Sequence, residues 1–226
     1  MDPRYRSDGR VPTVLLLNPN SSAPVTEALT AVVGACGEIP LNIHVDQIDD
    51  GPAVIESPED HAAVLPLVLQ RIRNAAADVD AVIIACHGDP GVSEARRAGG
   101  PKIIGIGEAS MLAACALGGP FGIITLGSGL VERKRSQVIR YGLDGRCAGV
   151  SASSTGVLHG LAEEPDIEPY LQAGRILMDS GATSVILGCA GMVRVQSAVQ
   201  DELGIAVIEP VRAAIGVLLG LSGGTR

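Results

Sequence analysis

Two cysteines stand where a buried strand would end and a loop begin. Cys86 closes the run Ala81–Ala85 and is followed by HGDPG. Cys189 follows Ser184–Leu187 and Gly188, and leads into Ala190, Gly191 and Met192. In open α/β sheets that edge is where ligands bind. Thiols in such places can move a proton at carbon. A hydrogen beside a carbonyl is weakly acidic, and inverting its centre takes a base on one face and an acid on the other. One thiolate and one opposing thiol supply both. A free cysteine titrates near roughly 8.5, so the base must be activated by a helix N-terminus or a nearby cation. Both cysteines precede Gly-containing turns into helices. The N–H groups there would favour a thiolate and bind a developing enolate oxygen. A buried cysteine is otherwise a small core residue. From pattern alone, the matched placement leaves both readings standing.

Other residues carry weaker signals. Asn18 and Ser21 follow the first strand, and Thr125 and Ser128 end its counterpart; they could meet a ligand or cap helices. His87 could tune Cys86, orient a ligand or fill the turn. Glu108 could face the site or cap a helix. Cys36 and Cys115 read as small core residues, and Cys147 is given no role. There is no CxxC or HxxxH, and four scattered histidines suggest no metal site. The pieces Gly105-Ile106-Gly107 and Gly127-Ser128-Gly129 lack the GxGxxG spacing of a dinucleotide site. No GxxxxGK[ST] or GxSxG occurs. Neither a cofactor nor a metal is expected.

The elements that must position the cysteines alternate regularly. Val11–Leu17 is a wholly apolar run, the mark of a parallel strand buried on both faces. Asn18-Pro19-Asn20-Ser21-Ser22 breaks it, and a helix runs to about Ala35. Leu41–Ile48 is a second strand, and 51–58 a Gly/Pro-bounded loop. A long helix to about Ala77, the Cys86 strand, a helix at Val92–Ala98 and a strand at Lys102–Ile106 complete the first series. The second series has a helix at Glu108–Leu117, a strand at Phe121–Leu126, and a helix at Val131–Tyr141. A weak strand follows at Ala148–Ala152, then a helix at Ile167–Ser180 closed by Gly181 and the Cys189 strand. A helix from about Val193 to Leu203, a strand at Ile205–Ile208 and a helix at Val211–Leu221 end it. Leu17 and Ile124, Cys86 and Cys189, Ile106 and Ile208 are each separated by little more than a hundred positions.

Strands alternating with helices indicate parallel sheets. The expected fold is α/β, with two pseudo-symmetric lobes. Each has a parallel sheet of about four strands flanked by helices, and the active site lies in the cleft between them. Lobe 1 is 11–108 plus 211–221, lobe 2 is 109–210, and 1–10 and 222–226 are loose tails. A single eight-stranded barrel is the rival. Lobes related by a pseudo-twofold axis would set Cys86 and Cys189 on opposite sides of one ligand.

Composition limits the partners. The net charge is −8, with no basic block and 2% aromatic residues, which argues against nucleic acid. No charge-free apolar run reaches the roughly 18 residues of a membrane span. The polar first ten residues do not resemble a signal peptide. Five cysteines without paired spacing suit a reducing cytoplasm.

The chain resembles the aspartate/glutamate racemase superfamily, and within it the hydantoin racemase branch, which includes allantoin racemases. The resemblance runs from about Leu15 to Val217. It is carried by LLLNPNSS (15–22), GPAVIES (51–57), IIACHGDPG (83–91), IGIGEAS (104–110) and VILGCAGM (185–192). It implies two pseudo-symmetric lobes, a C-terminal helix packed back onto the first, and a homo-oligomer. It also implies that Cys86 and Cys189 are the acid/base pair. Asn18, Pro19, His87, Gly88, Thr125, Leu126, Ala190 and Gly191 look like the substrate-contacting rim. Hydantoin racemases commonly carry Phe and Asp where this chain has His87 and Gly88. Amino-acid racemases of the superfamily tend to hold an α-carboxylate with Asn or Thr after each cysteine. His87 and Ala190 stand there instead, so a neutral cyclic ureide fits better. The expected activity is cofactor-independent racemisation of 5-monosubstituted hydantoins or allantoin. Alternatives are another enzyme of the fold (aspartate racemase, maleate isomerase, arylmalonate-type decarboxylase) or a non-catalytic small-molecule binder.

Overall fold

The computed structural model describes residues 10–221. The expected tails therefore lie outside the described residues except for Arg10, whose guanidinium pairs with Asp80. The chain divides into two compact units. One runs to Ile106 and resumes at Ala214; the other is the continuous stretch Gly107–Ala213.

The first unit holds β1 (Thr13–Asn18), α1 (Ala23–Gly34), β2 (Asn42–Gln47), α2 (Pro58–Ala75), β3 (Ala81–Ile84), α3 (Val92–Ala98) and β4 (Lys102–Gly105). Its sheet is parallel, in the order β2-β1-β3-β4. The apolar runs of β1 and β3 are central and buried on both faces, so they show no polar alternation. Leu15, Leu17, Val82 and Ile84 form one core face with Val64, Val68 and Ile72 of α2. Edge strand β2 is half exposed, which is why it alternates.

The second unit begins within α4 (Ile106–Ala116). It continues with β5 (Phe121–Thr125), α5 (Val131–Arg140), β6 (Cys147–Ala152), α6 (Glu168–Asp179), β7 (Ser184–Leu187), α7 (Gln196–Leu203) and β8 (Ala206–Ile208). Its sheet is parallel, β6-β5-β7-β8. One face packs on α6 and α7 through Ile124, Leu187, Leu171, Leu177 and Val199. The other packs on α4 and α5 through Met111, Phe121, Ile123, Val138 and Ile186. Helix α8 (Pro210–Leu221) starts in the second unit and runs into the first, to which it belongs from Ala214 on.

Two four-stranded sheets replace the rival single barrel. Each has the same order, and in each the direction of strand addition reverses between the two central strands. That reversal is the topological switch point at which open α/β sheets bind ligands. Among the described residues no helix is long and apolar enough to cross a membrane. Cys115 and Cys147 pack against the second unit's core, as half-buried neighbours. Cys36 is not the core residue expected: it lies half-buried beyond α1, its thiol donating to the Val32 carbonyl.

Candidate active site

At the first switch point, β1 ends in Asn18 and β3 leads to Cys86. Ala85 N–H still donates to the Leu17 carbonyl at 2.8 Å, so strand pairing continues up to the cysteine. The chain then turns tightly, Asp89 N–H donating to the Cys86 carbonyl at 2.9 Å. Asp89 adopts a positive φ of 53° and Gly91 one of 81° before α3 starts. Asp89 is buried, and its carboxyl fills the space beside Gly105, where any Cβ would collide with it. His87 is buried, 2% exposed.

Gly88 leaves room for a neighbouring side chain. A Cβ there would run into the Nε2 edge of His61, which arrives from α2, and would stand 3.7 Å from Cys86 Sγ. The other ring nitrogen, Nδ1, lies 3.3 Å from the Ser57 carbonyl. Ser57 and Asp60 form a capping box at the start of α2. The Ser57 N–H, its hydroxyl and the Glu56 N–H hold the Asp60 carboxyl below its usual range, and the charge of His61 adds to this.

Asn18 is fully buried. Its amide N–H groups reach Asn20 Oδ1 and Thr26 Oγ1, both at 3.0 Å, and its Oδ1 accepts from Asn20 N–H. Its side chain therefore frames the 18–22 loop. Ser21 ties that loop to the next: its N–H and hydroxyl reach the carbonyls of Pro52 and Gly51. Pro19 sits in this seam, its carbonyl 3.1 Å from where a Gly51 Cβ would fall.

The second switch point is built alike. Gly188 N–H donates to the Ile124 carbonyl at 2.7 Å, and a Cβ on Gly188 would fall 2.6 Å from that oxygen. Cys189 then caps a 3-10 helix at Ala190–Val195, where the sequence pointed to an α-helix from about Val193. Its Sγ accepts from Gly191 N–H at 3.3 Å. Ala190 and Gly191 are buried. Thr125, closing β5, is fully buried, and its hydroxyl has no hydrogen-bond partner among the described residues. Leu126, expected on the rim, packs its side chain into the core against α6.

A polar chain lies beside this turn. Ser153 Oγ lies 3.2 Å from the Thr125 carbonyl and 2.8 Å from Thr155 Oγ1. Tyr170 OH is 3.4 Å from Thr155 Oγ1 and 3.2 Å from His159 Nδ1. Burial pushes the Tyr170 phenol up, the Thr155 bond opposes that, and the charge of Cys189 raises it further. Neither His61 nor Tyr170 was singled out by the sequence. Each comes from a helix remote in sequence from its cysteine, and a lone His or Tyr on a helix carries no local signal.

The Asp/Glu/hydantoin racemase family pattern matches residues 14–218. The chain belongs to that family. This racemase is 32% identical to the hydantoin racemase of Paenarthrobacter aurescens over 211 residues, 90% of this chain and 88% of the relative. The structure of the allantoin racemase from Klebsiella pneumoniae superposes with a TM-score of 0.84 at 30% identity, covering 92% of this chain and 86% of that one. The allantoin racemase from Pseudomonas fluorescens gives 0.84 at 25% identity, covering 92% and 90%. The family, the α/β fold of two parallel four-stranded sheets and the isomerase class expected from the resemblance all stand.

Proposed function

We propose that this racemase interconverts the enantiomers of 5-monosubstituted hydantoins or of allantoin, with Cys86 and Cys189 as acid and base on opposite faces of C5. The observation that carries this is positional. Each cysteine stands two residues past the end of the second central strand, at the switch point of its own unit. In these rings the C5–H lies beside a carbonyl, so one thiolate removes the proton and a delocalised enolate forms. The other thiol returns a proton to the far face. Turn N–H groups at Gly88 and Ala190 would hold the enolate oxygen, while Gly191 N–H stays on Cys189 Sγ.

The contact between Cys189 Sγ and Gly191 N–H supports a thiolate there, because a donated hydrogen bond favours the charged form. Thr125 Oγ1 would bond a polar atom of the ring, and Asn18 and Pro19 would shape the loop beside it. The reading includes a homo-oligomer in a reducing cytoplasm, which five free thiols suit. Deuterium uptake decides the matter. Incubation in heavy water with one enantiomer of allantoin or 5-methylhydantoin should put deuterium at C5 as optical rotation decays. Ring substrates that keep both their proton and their rotation at high enzyme concentration would sink the reading.

A further inference from the structure

We propose that His61 is the positioning base of Cys86, holding it as the thiolate half of a thiolate–imidazolium pair. This rests on Cys86 being an acid/base group as proposed above. Three observations converge. The Ser57 carbonyl accepts from Nδ1, which fixes that nitrogen as the protonated one and makes Nε2 the acceptor of the neutral ring. A Cβ on Gly88 would collide with Nε2 and fall 3.7 Å from Cys86 Sγ, so the ring edge and the thiol both border the space that the missing side chain leaves. His61 is the fourth residue of α2, whose start is fixed by the Ser57–Asp60 capping box, so the ring is carried on a rigid first turn.

The step is a single proton transfer. The Cys86 S–H proton passes to Nε2, leaving a thiolate beside an imidazolium that keeps its Nδ1–H on Ser57. Asp60 lies in the same first turn of α2 as His61, and His87 and Asp89 follow Cys86 in its turn. Asp60 stays ionised next to the ring and favours the imidazolium. His61 acts through Cys86 and needs no contact with substrate.

The test reads the thiol directly. The iodoacetamide alkylation rate of Cys86 is followed against pH by peptide mass mapping in the full chain, for wild type, His61→Gln and Gly88→Ala. In His61→Gln the inflection should move up by at least one pH unit, with alkylation at pH 7 slowed about tenfold. Gly88→Ala keeps the imidazole but displaces it, so it should shift the inflection the same way; it also decides the matter if His61→Gln fails to fold. The acid limb of kcat/KM should follow the alkylation inflection. An inflection unchanged in the folded variants overturns the proposal, whatever happens to turnover. The controls separate the two readings. If Cys86→Ala racemises normally while His61→Gln still shifts the inflection, the pairing stands and the two-cysteine mechanism fails.

Discussion

The thiols at 86 and 189 have different surroundings. Cys86 lies by an imidazole, whereas Cys189 accepts a backbone N–H and lies near a phenol. On the two-thiol reading, Cys86→Ala and Cys189→Ala should each abolish racemisation. Each should still exchange the C5 proton of one enantiomer, because one base remains. Chiral chromatography with deuterium NMR checks both, and full racemisation by either variant excludes the mechanism. Two buried hydroxyls offer a sharper contrast. Thr125 Oγ1 and Ser184 Oγ both lack a partner among the described residues, and a buried unsatisfied group costs about 1–3 kcal/mol. Thr125→Val and Ser184→Ala should therefore both leave thermal stability unchanged or raised. Only Thr125→Val should raise KM, since Thr125 closes β5 at the switch point and Ser184 opens β7 at the other end of the sheet. Cys86, Cys189 and Thr125 were legible because a continuous apolar run announces where a buried strand stops. The burial of His87 and Leu126 was not legible, since side-chain direction after a strand end depends on the packing of the turn.

Helix ends and close approaches govern the elements that carry these residues. Ser57→Ala removes half of the capping box and should cost about 1 kcal/mol in urea unfolding. Because α2 carries His61, it should also blunt the reactivity of Cys86. Gly188→Ala would drive a methyl into the Ile124 carbonyl and should destabilise the second unit by about 1–3 kcal/mol. Glu209 governs α8. Its two carboxyl oxygens accept from the N–H groups of Val211 and Arg212, both at 2.8 Å. Burial nonetheless raises its pKa, outweighing those bonds and the charge of Arg212. A carboxyl raised on folding binds its proton more tightly in the native state. Its stabilising effect is complete below the ordinary value of 4.5 and fades as pH rises through the folded value. Glu209→Gln lacks this titration, so its stability relative to wild type should climb as pH increases from 4 to 8. An equal gap at every pH would refute the burial argument. Element order was readable from alternating apolar runs and Gly or Pro breaks. The 3-10 helix after Cys189 was not, because its geometry comes from the thiol capping Gly191 and from the chain at Val157 and Gly160 pressing on the turn.

Across the whole molecule, aromatic residues are few: one Phe, three Tyr and no Trp. Phe121 and Tyr170 are wholly buried in the second unit's core, and Tyr141 packs against it. Apolar pockets for large ligands are usually lined with aromatic rings. Small or polar C5 substituents should therefore be preferred. Measured kcat/KM should rank allantoin or 5-methylhydantoin above the 5-isobutyl and 5-benzyl compounds. A benzyl compound best by tenfold, about 1.4 kcal/mol of transition-state binding, would show that the rings do not set the pocket.

The path of α8 carries a consequence for biosynthesis. The second unit is one continuous stretch, so everything it needs has left the ribosome once Ala213 has cleared the exit tunnel. The first unit is synthesised first, yet it lacks Ala214, Ile215 and Leu218, all of them buried, until the second unit has been made. Vectorial synthesis favours folding from the N-terminus, and here that order is reversed. The unit that carries Cys86 must wait, with β1 and β3 made but its last helical segment missing, while the unit that carries Cys189 closes. Nascent chains stalled shortly after Ala213 should expose a protease-sensitive first half and a resistant second half, and should recruit holdase chaperones to the former.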